Sequence, residues 1–174
     1  MVRDQQKDGS GIVSEKVARQ ALKVLRTEVY PALPTDVKTL IPMINDALDT
    51  AGPNVPNFIV GSIQEVGAGV AFPCVTVQAH GAAEGIVKKY RHLTLVIDIW
   101  VGSGEAVNQQ ARRIASILYE YIYRAFHNTN WSGNSISIQR CYEVERSEIL
   151  FEPQNKTAHI SNSYRVEAIS STWY

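Results

Sequence analysis

Residues 90–126 pass from a strand pattern to a helix pattern within a few residues, and both halves carry one apolar side. In the first half the apolar positions alternate with the others, as is typical of a half-buried strand: Leu93, Leu95, Ile97, Ile99 and Val101. After the turn at 102–104 they recur at helical spacing: Val107, Ala111, Ile114, Leu118, Ile122 and Ala125. This pairing predicts that the helix packs on the apolar face of a sheet.

The order of patterns along the chain predicts an α+β fold. Two helices come first, then strands, then the helix at 106–126, then further strands. Short links between strands favour antiparallel pairing, and so few helices can cover only one face of the sheet. We therefore expect a mainly antiparallel β-sheet with helices packed on one face. We assign residues 1–35 to a flexible segment and an N-terminal helical extension, and residues 36–174 to the α+β domain.

Two helices are predicted before the strands begin. Ser14 is a plausible N-cap for the first, whose apolar stripe is Val17, Ala21, Val24 and Leu25. Thr35 or Asp36 begins the second, whose buried side is predicted to be Val37, Leu40, Ile41, Ile44 and Leu48. Because Pro42 lies inside this pattern, we expect a kink there or a late start.

Strands are expected over 58–66, 71–80, 93–101, 136–144 and around 164–169. The small residues at 81–85 predict a turn, and Phe151, Pro153 and Asn155 predict a break before the last strand. These intervals complete the predicted sheet.

Composition restricts the function classes. The 174 residues include 17 basic and 17 acidic side chains, and this balance is unlike the basic surplus of a dedicated nucleic-acid binder. The hydrophobic fraction of 45% is enough for a real core. We find neither a secretory signal nor a membrane-spanning run, so we expect a soluble protein made in a cytoplasm. Cys74 and Cys141 are expected to be reduced, with a disulfide between them as the alternative.

No motif for catalysis or cofactor binding is complete. Gly102-Ser103-Gly104 lies between a strand and a helix, but Val107 and Glu105 depart from the two phosphate-binding patterns, so we interpret it as a turn. The four histidines lack zinc-motif spacing, and no serine stands in a nucleophile elbow. Glu143 and Glu145 are expected to share one strand face as solvated carboxylates. We predict no catalytic, cofactor-binding or metal residues.

Two charged segments suggest a subunit contact. Lys88, Lys89, Arg91 and His92 form a basic cluster, and Glu143, Glu145 and Glu148 lie in an acidic segment. One interpretation is that they face each other across the sheet or lie in water and contribute little. The other is that they lie on opposite edges of one subunit, so that copies dock head-to-tail in a salt-sensitive way.

The pattern of residues 36–174 resembles tail terminator (tail completion) proteins of long-tailed bacteriophages. The resemblance covers residues 36–174 and rests on an aromatic–proline strand at Phe72 and Pro73, a long strand that ends in Ile99 and Trp100, the helix at 106–126 and the late strands. It implies a structural virion protein with no enzymatic activity and no cofactor. It also implies a hexameric ring that caps the tail tube, ends polymerisation and joins tail to head.

The resemblance also implies partners: the tube protein, the sheath, and connector or neck proteins. DNA would pass through the lumen without specific binding. We expect Trp131, Trp173 and Tyr174 to dock such partners as exposed aromatics, with core packing as the alternative for each. Other functions stay open: another neck or head–tail connector protein, a small α+β ligand-binding domain or enzyme, and a nucleic-acid-binding accessory.

Overall fold

The structure is a computed structural model. It describes residues 10–45, 54–61, 71–84, 90–102, 108–133, 136–152 and 157–170. The strands are β1 (Met43–Ile44), β2 (Val55–Pro56), β3 (Phe58–Val60), β4 (Cys74–Glu84), β5 (Tyr90–Val101), β6 (Ile136–Arg146), β7 (Leu150–Glu152) and β8 (Thr157–Ser170). The helices are α1 (Ser10–Val24), α2 (Tyr30–Ala32), α3 (Thr35–Lys38) and α4 (Asn108–Phe126), and a π-helical turn (Leu25–Val29) joins α1 to α2.

The main sheet has the order β3-β4-β5-β8-β6, and β7 also pairs with β8. All these pairs are antiparallel except β3 with β4, which is parallel. β1 and β2 form a separate antiparallel pair. The fold is therefore α+β with a mainly antiparallel sheet, as predicted.

The inner face of the sheet is the floor of the core. The alternating apolar residues of β5 are all buried: Leu93, Leu95, Ile97, Ile99 and Val101. On the neighbouring β8, Tyr164 pairs with Leu95 and is fully buried. The period-two pattern therefore identified the core strand correctly.

Both long helices pack on this inner face. In α1 the predicted stripe Val17, Ala21, Val24 and Leu25 is buried, and in α4 the stripe Ala111, Ile114, Leu118 and Ile122 is buried. All of them belong to one hydrophobic cluster with the inner residues of the sheet. The first helix is thus part of the same core as the sheet. It already includes Ser10, so Ser14 is an internal residue and not its N-cap.

The second predicted helix is much shorter than expected. α3 ends at Lys38, and Met43 and Ile44 form β1 instead of a further helical turn. Proline has no N–H to donate and its ring clashes with the preceding turn, so Pro42 prevents continuation. Val37 and Ile41 are buried as predicted, but Leu40 is exposed. Leu48 lies outside the described residues.

The turn predicted at 81–85 is part of a strand as far as the structure describes it. β4 runs on to Glu84, and its pairing with β5 shifts between His80 and Ala83. Gly81 has a positive φ of 69°, a conformation that glycine adopts without strain, and the extra residues make a β-bulge. Small residues here therefore mark a bulge.

The remaining intervals agree with the patterns except at two places. β5, α4, β6 and β8 lie where the sequence predicted them. Phe151, expected in a break, is in β7. Of the strand predicted over 58–66, residues 58–60 form β3, Gly61 lies in a bend, and the rest lies outside the described residues. Gly102 ends β5 against Phe72, where a Cβ would lie 2.6 Å from the Phe72 Cβ, so this position excludes a side chain.

Replacing Ile97 with Ala is expected to lower the free energy of unfolding by about 2–5 kcal/mol, because the side chain is fully buried in the central strand. Urea denaturation measures the change. Thr94→Ala, on the exposed side of the same strand, is the control and should change stability by less than about 0.5 kcal/mol. Equal losses for the two variants would contradict the assignment of the inner face.

Candidate interaction surface

The second face of the sheet has no helix on it in the described part of the chain. We call it the open face. Its residues, which point away from the core, are Thr76, Gln78 and His80 on β4, His92, Thr94, Val96, Asp98 and Trp100 on β5, His159, Ser161, Ser163, Arg165, Glu167 and Ile169 on β8, and Ser137, Arg140, Tyr142 and Glu145 on β6. A sheet face left uncovered in a single chain is available for contact with another molecule.

One end of the open face is aromatic and acidic. The Trp100 ring stacks on the His159 ring with centroids 4.4 Å apart, and Trp100 Nε1 donates a hydrogen bond to Thr76 Oγ1 at 3.2 Å. Asp98 is paired with Ser161, and burial raises the pKa of this carboxyl while the hydrogen bond with Ser161 lowers it. The cluster is half-buried in the single chain, although no described helix covers it.

The other end of the open face is mainly basic. Arg165 is exposed, and Arg140 lies with its guanidinium 5.6 Å from the centre of the Tyr142 ring. His92 and Glu167 form a pair at 3.6 Å between Nδ1 and Oε1. The two ends therefore differ in charge along the strand direction.

His92 does not lie at an edge of the subunit. It belongs to β5, the middle strand, which pairs with β4 on one side and β8 on the other. The interpretation that the basic segment occupies one edge of the sheet is therefore wrong for His92. Arg91 is in the same strand, opposite Ala168. Lys88 and Lys89 lie outside the described residues, as do Trp173 and Tyr174.

The three acidic residues predicted together are separated by a bulge in β6. Glu143 pairs with Tyr164, whereas Glu145 pairs with Ser163, so Val144 is an extra residue. Because Tyr164 and Ser163 point to opposite faces, Glu143 and Glu145 do too, and the prediction of a shared face is wrong. Glu145 reaches the open face, and the exposed Glu148 follows the strand.

Glu143 lies on the helix side, where α4 holds it. Its Oε2 accepts a hydrogen bond from the Tyr119 hydroxyl at 3.0 Å, and its backbone N–H donates to His127 Nδ1 at 3.0 Å. The Arg146 guanidinium lies 4.6 Å from the Tyr119 ring centre. Burial, followed by the bond to Glu143, raises the pKa of Tyr119. These contacts tie β6 to α4, so Glu143 is engaged within its own subunit.

Trp131 is a core residue, which contradicts its predicted role as an exposed docking aromatic. Only 3% of its surface is accessible, and its ring meets Phe126 edge-on with centroids 5.2 Å apart. Gln20 Nε2 on α1 donates to its carbonyl at 3.2 Å. The loop after α4 folds back onto the core, a long-range event that a run of turn-forming residues does not reveal.

The same loop covers much of the outer edge of β6. The Asn128 N–H donates to the Cys141 carbonyl at 2.7 Å, and the Ile138 N–H donates to Ser132 Oγ at 2.9 Å. Gly133 forms an antiparallel bridge with Ile136. With their hydrogen bonds used internally, these backbone groups cannot pair with a strand of another chain.

Four large apolar side chains are exposed in the described part of the chain: Leu40 (40%), Met43 (48%), Val60 (40%) and Val144 (55%). Val144 is on β6 and Val60 is on β3, the opposite ends of the sheet order. Met43 pairs with Pro56, and the Pro42 carbonyl accepts a hydrogen bond from the Asn57 N–H, which places Met43 beside the start of β3. The sequence analysis did not identify these residues as exposed apolar side chains, although a valine between Glu143 and Glu145 is a pattern that indicates one.

Both cysteines are free and buried, and burial raises the pKa of each thiol to about 12. Within the described ranges, no group of three or more His, Cys, Asp and Glu side chains is arranged to hold a metal ion. None of the described helices combines the length and apolar character needed to cross a membrane. No protein-family model matches the sequence, and a search of curated proteins gives no match either.

Replacing Asp98 with Asn is expected to stabilise the fold more at about pH 7 than at about pH 3. Burial raises the folded-state pKa of this carboxyl, so its ionisation lowers the free energy of unfolding as the pH rises above the unfolded pKa. Asn removes that loss and still accepts a hydrogen bond. Urea denaturation at both pH values measures it, with the exposed Glu148→Gln as control. An equal effect of Asp98→Asn at both pH values would contradict the assignment.

Proposed function

We propose that the chain is a structural subunit of a bacteriophage tail, of the tail terminator type. Identical subunits join head-to-tail into a ring, with six as the number that the resemblance implies. The ring caps the tail tube, ends its polymerisation and provides the surface for head–tail joining. Support comes from the resemblance over residues 36–174, from the α+β fold and from the distribution of exposed apolar side chains.

The observation that carries this proposal is the position of those side chains. A head-to-tail contact needs two different, complementary surfaces on opposite sides of one subunit. Val144 projects at the β6 side, while Val60 lies on β3 and Met43 lies beside the start of β3. A valine of one subunit packed against the β3 side of the next gives such a contact.

Charges around these residues fit the same orientation. The exposed Glu148 follows β6 on the same side as Val144, whereas Glu145 points to the open face. Lys38 lies near Met43 on the other side: its Nζ is 5.7 Å from the centre of the Tyr30 ring, and the Tyr30 hydroxyl donates a hydrogen bond to Met43 Sδ. We therefore still expect salt-sensitive association between subunits, with Lys38 instead of His92 as the basic group at the contact. Because loop 127–133 blocks strand pairing along much of β6, side chains rather than backbone groups make the contact.

In this proposal the partners are the tube protein, the sheath and a connector or neck protein, and the site of action is the virion. DNA passes through the lumen without specific binding, in keeping with equal numbers of acidic and basic residues. The subunit acts by its shape and has neither a catalytic role nor a cofactor.

A small-ligand-binding domain is the second candidate, and the half-buried cluster of Trp100, His159 and Asp98 favours it. An aromatic pair beside a carboxylate is a common way to hold a small polar molecule. A stable monomer whose melting temperature rises with such a ligand would support this candidate over the ring.

Val144→Asp is expected to prevent ring formation, because it places a charge where an apolar side chain is buried between subunits. Val60→Asp should do the same from the opposite side. A mixture of the two variants retains one intact contact, between the Val144 of one chain and the β3 side of the other, and should give heterodimers. With one variant labelled with ¹⁵N, so that heterodimers and homodimers differ in mass, native mass spectrometry distinguishes rings, heterodimers, homodimers and monomers.

Gln139→Asp is the matched control, since Gln139 is the exposed extra residue of the other bulge in β6. It should leave the rings intact. Rings formed by Val144→Asp as readily as by the unaltered chain would contradict the lateral contact. So would a mixture that behaves as two separate monomers.

Purified protein added to polymerising tube subunits of the same phage is expected to stop tube growth and to appear as a ring at one tube end in negative-stain images. Val144→Asp should leave tube growth unchanged, because only an assembled ring matches the end of a tube. Continued tube growth in the presence of preformed wild-type rings would contradict the capping role while leaving the ring itself intact.

A further inference from the structure

We infer that the open face docks against the open face of a second copy of this chain, related by a two-fold axis. This contact goes beyond the proposed ring, which uses the β3 and β6 sides. A face-to-face contact between identical surfaces closes on itself as a dimer, whereas head-to-tail contacts continue from subunit to subunit. The two contacts can therefore be tested separately.

Charged side chains follow a definite order along the strands of the open face. From one end of the open face to the other, β5 and β8 present successive cross-strand pairs: Trp100 with His159, Asp98 with Ser161, Val96 with Ser163, Thr94 with Arg165, and His92 with Glu167; Ile169 lies in the row after these. On β6, Glu145 is beside Ser163, Tyr142 beside Arg165 and Arg140 beside Glu167. Acidic Asp98 and Glu145 thus lie in one half. Basic Arg165 and Arg140 lie in the other half, together with Glu167, which pairs with His92.

A half-turn about a suitable two-fold axis exchanges the two halves of the open face. This axis lies in the plane of the face and runs across the strands. It passes between the Val96–Ser163 pair and the Thr94–Arg165 pair. It places Glu145 of one copy over the row that contains Arg165 of the other, and Asp98 over the row that contains His92, Glu167 and Arg140. The Trp100 row then meets the row that contains Ile169. Glu145 and Arg165 therefore face each other across the axis as opposite charges, and the aromatic end meets an aliphatic side chain.

In the single chain, the side chains of Arg165 and Glu145 are both exposed, and within the described residues neither side chain takes part in an ion pair or a hydrogen bond. Near the axis, Val96 and Ser163 are small enough for two sheets to approach to about 10 Å, the spacing of stacked sheets. The self-complementary charge pattern is the reason to assign a second copy as the occupant.

Sedimentation velocity over a concentration series at low salt tests the inference. Every chain in this experiment carries Val60→Asp, which removes the proposed ring contact at the β3 side, and the chain with this change alone is the unaltered chain of the comparison. Arg165→Glu is expected to raise the dimer dissociation constant at least about tenfold, and Glu145→Arg should have a similar effect. The double variant restores the opposite-charge contact across the axis and should dimerise within about threefold of the unaltered chain. Arg165→Gln, which only removes the charge, should have a dissociation constant between those of the unaltered chain and Arg165→Glu.

Arg112→Glu is the matched control, because Arg112 is exposed on α4, on the other side of the sheet. It should leave the dissociation constant unchanged, and thermal unfolding checks that every variant is folded. The inference is overturned if Arg165→Glu dimerises like Arg112→Glu, if the double variant stays as weak as the singles, or if the unaltered chain gives no dimer. Rings that form normally from Arg165→Glu leave the proposed function intact, and dimers that persist in Val144→Asp leave this inference intact when the ring fails.

Discussion

Burial of one face of the β5–β8 pair is the constraint on which the rest of the structure depends. The two strands pair over twelve residues, and their inner side chains form the floor on which α1 and α4 pack. With both long helices on this side, polar, aromatic and charged groups such as Asp98, Trp100 and Arg165 are directed to the other side. In the described part of the chain, no helix covers this second face, and this makes the surfaces of the sheet, more than any cleft, the candidates for function.

The edges of the sheet show how one extra residue changes what a subunit can join. The bulge at Val144 sends Glu143 toward Tyr119 and Glu145 toward the open face, and it leaves the valine exposed between them. Loop 127–133 at the same time occupies backbone groups of β6 that would otherwise recruit another strand. The β6 side can therefore make contacts through side chains without open-ended strand pairing. This combination suits an assembly with a defined number of subunits.

Local periodicity accounts for what the sequence predicted well. The alternation in β5 and the helical stripe in α4 identified the core side chains, since both repeats depend only on neighbouring residues. The candidate interaction surface was harder to predict. The central position of His92 follows from a strand order that brings β8 between β5 and β6, and the burial of Trp131 follows from a loop that folds back onto the core. The opposite orientations of Glu143 and Glu145 depend on a bulge, which no alternating pattern encodes. The early end of α3 was also predicted wrongly, although its cause, the proline at position 42, is a local one.

The central claim is that this chain functions as an assembly built through the two lateral sides of its sheet. Native mass spectrometry of the Arg165→Glu variant, which keeps both lateral sides and lacks the open-face contact, tests it most directly over a wide range of concentrations at low salt. The account predicts one discrete closed oligomer, whose mass is a fixed multiple of the 19.3 kDa chain and does not increase with concentration. A monomer at every concentration, or an open series of oligomers that lengthens as the concentration rises, would contradict it.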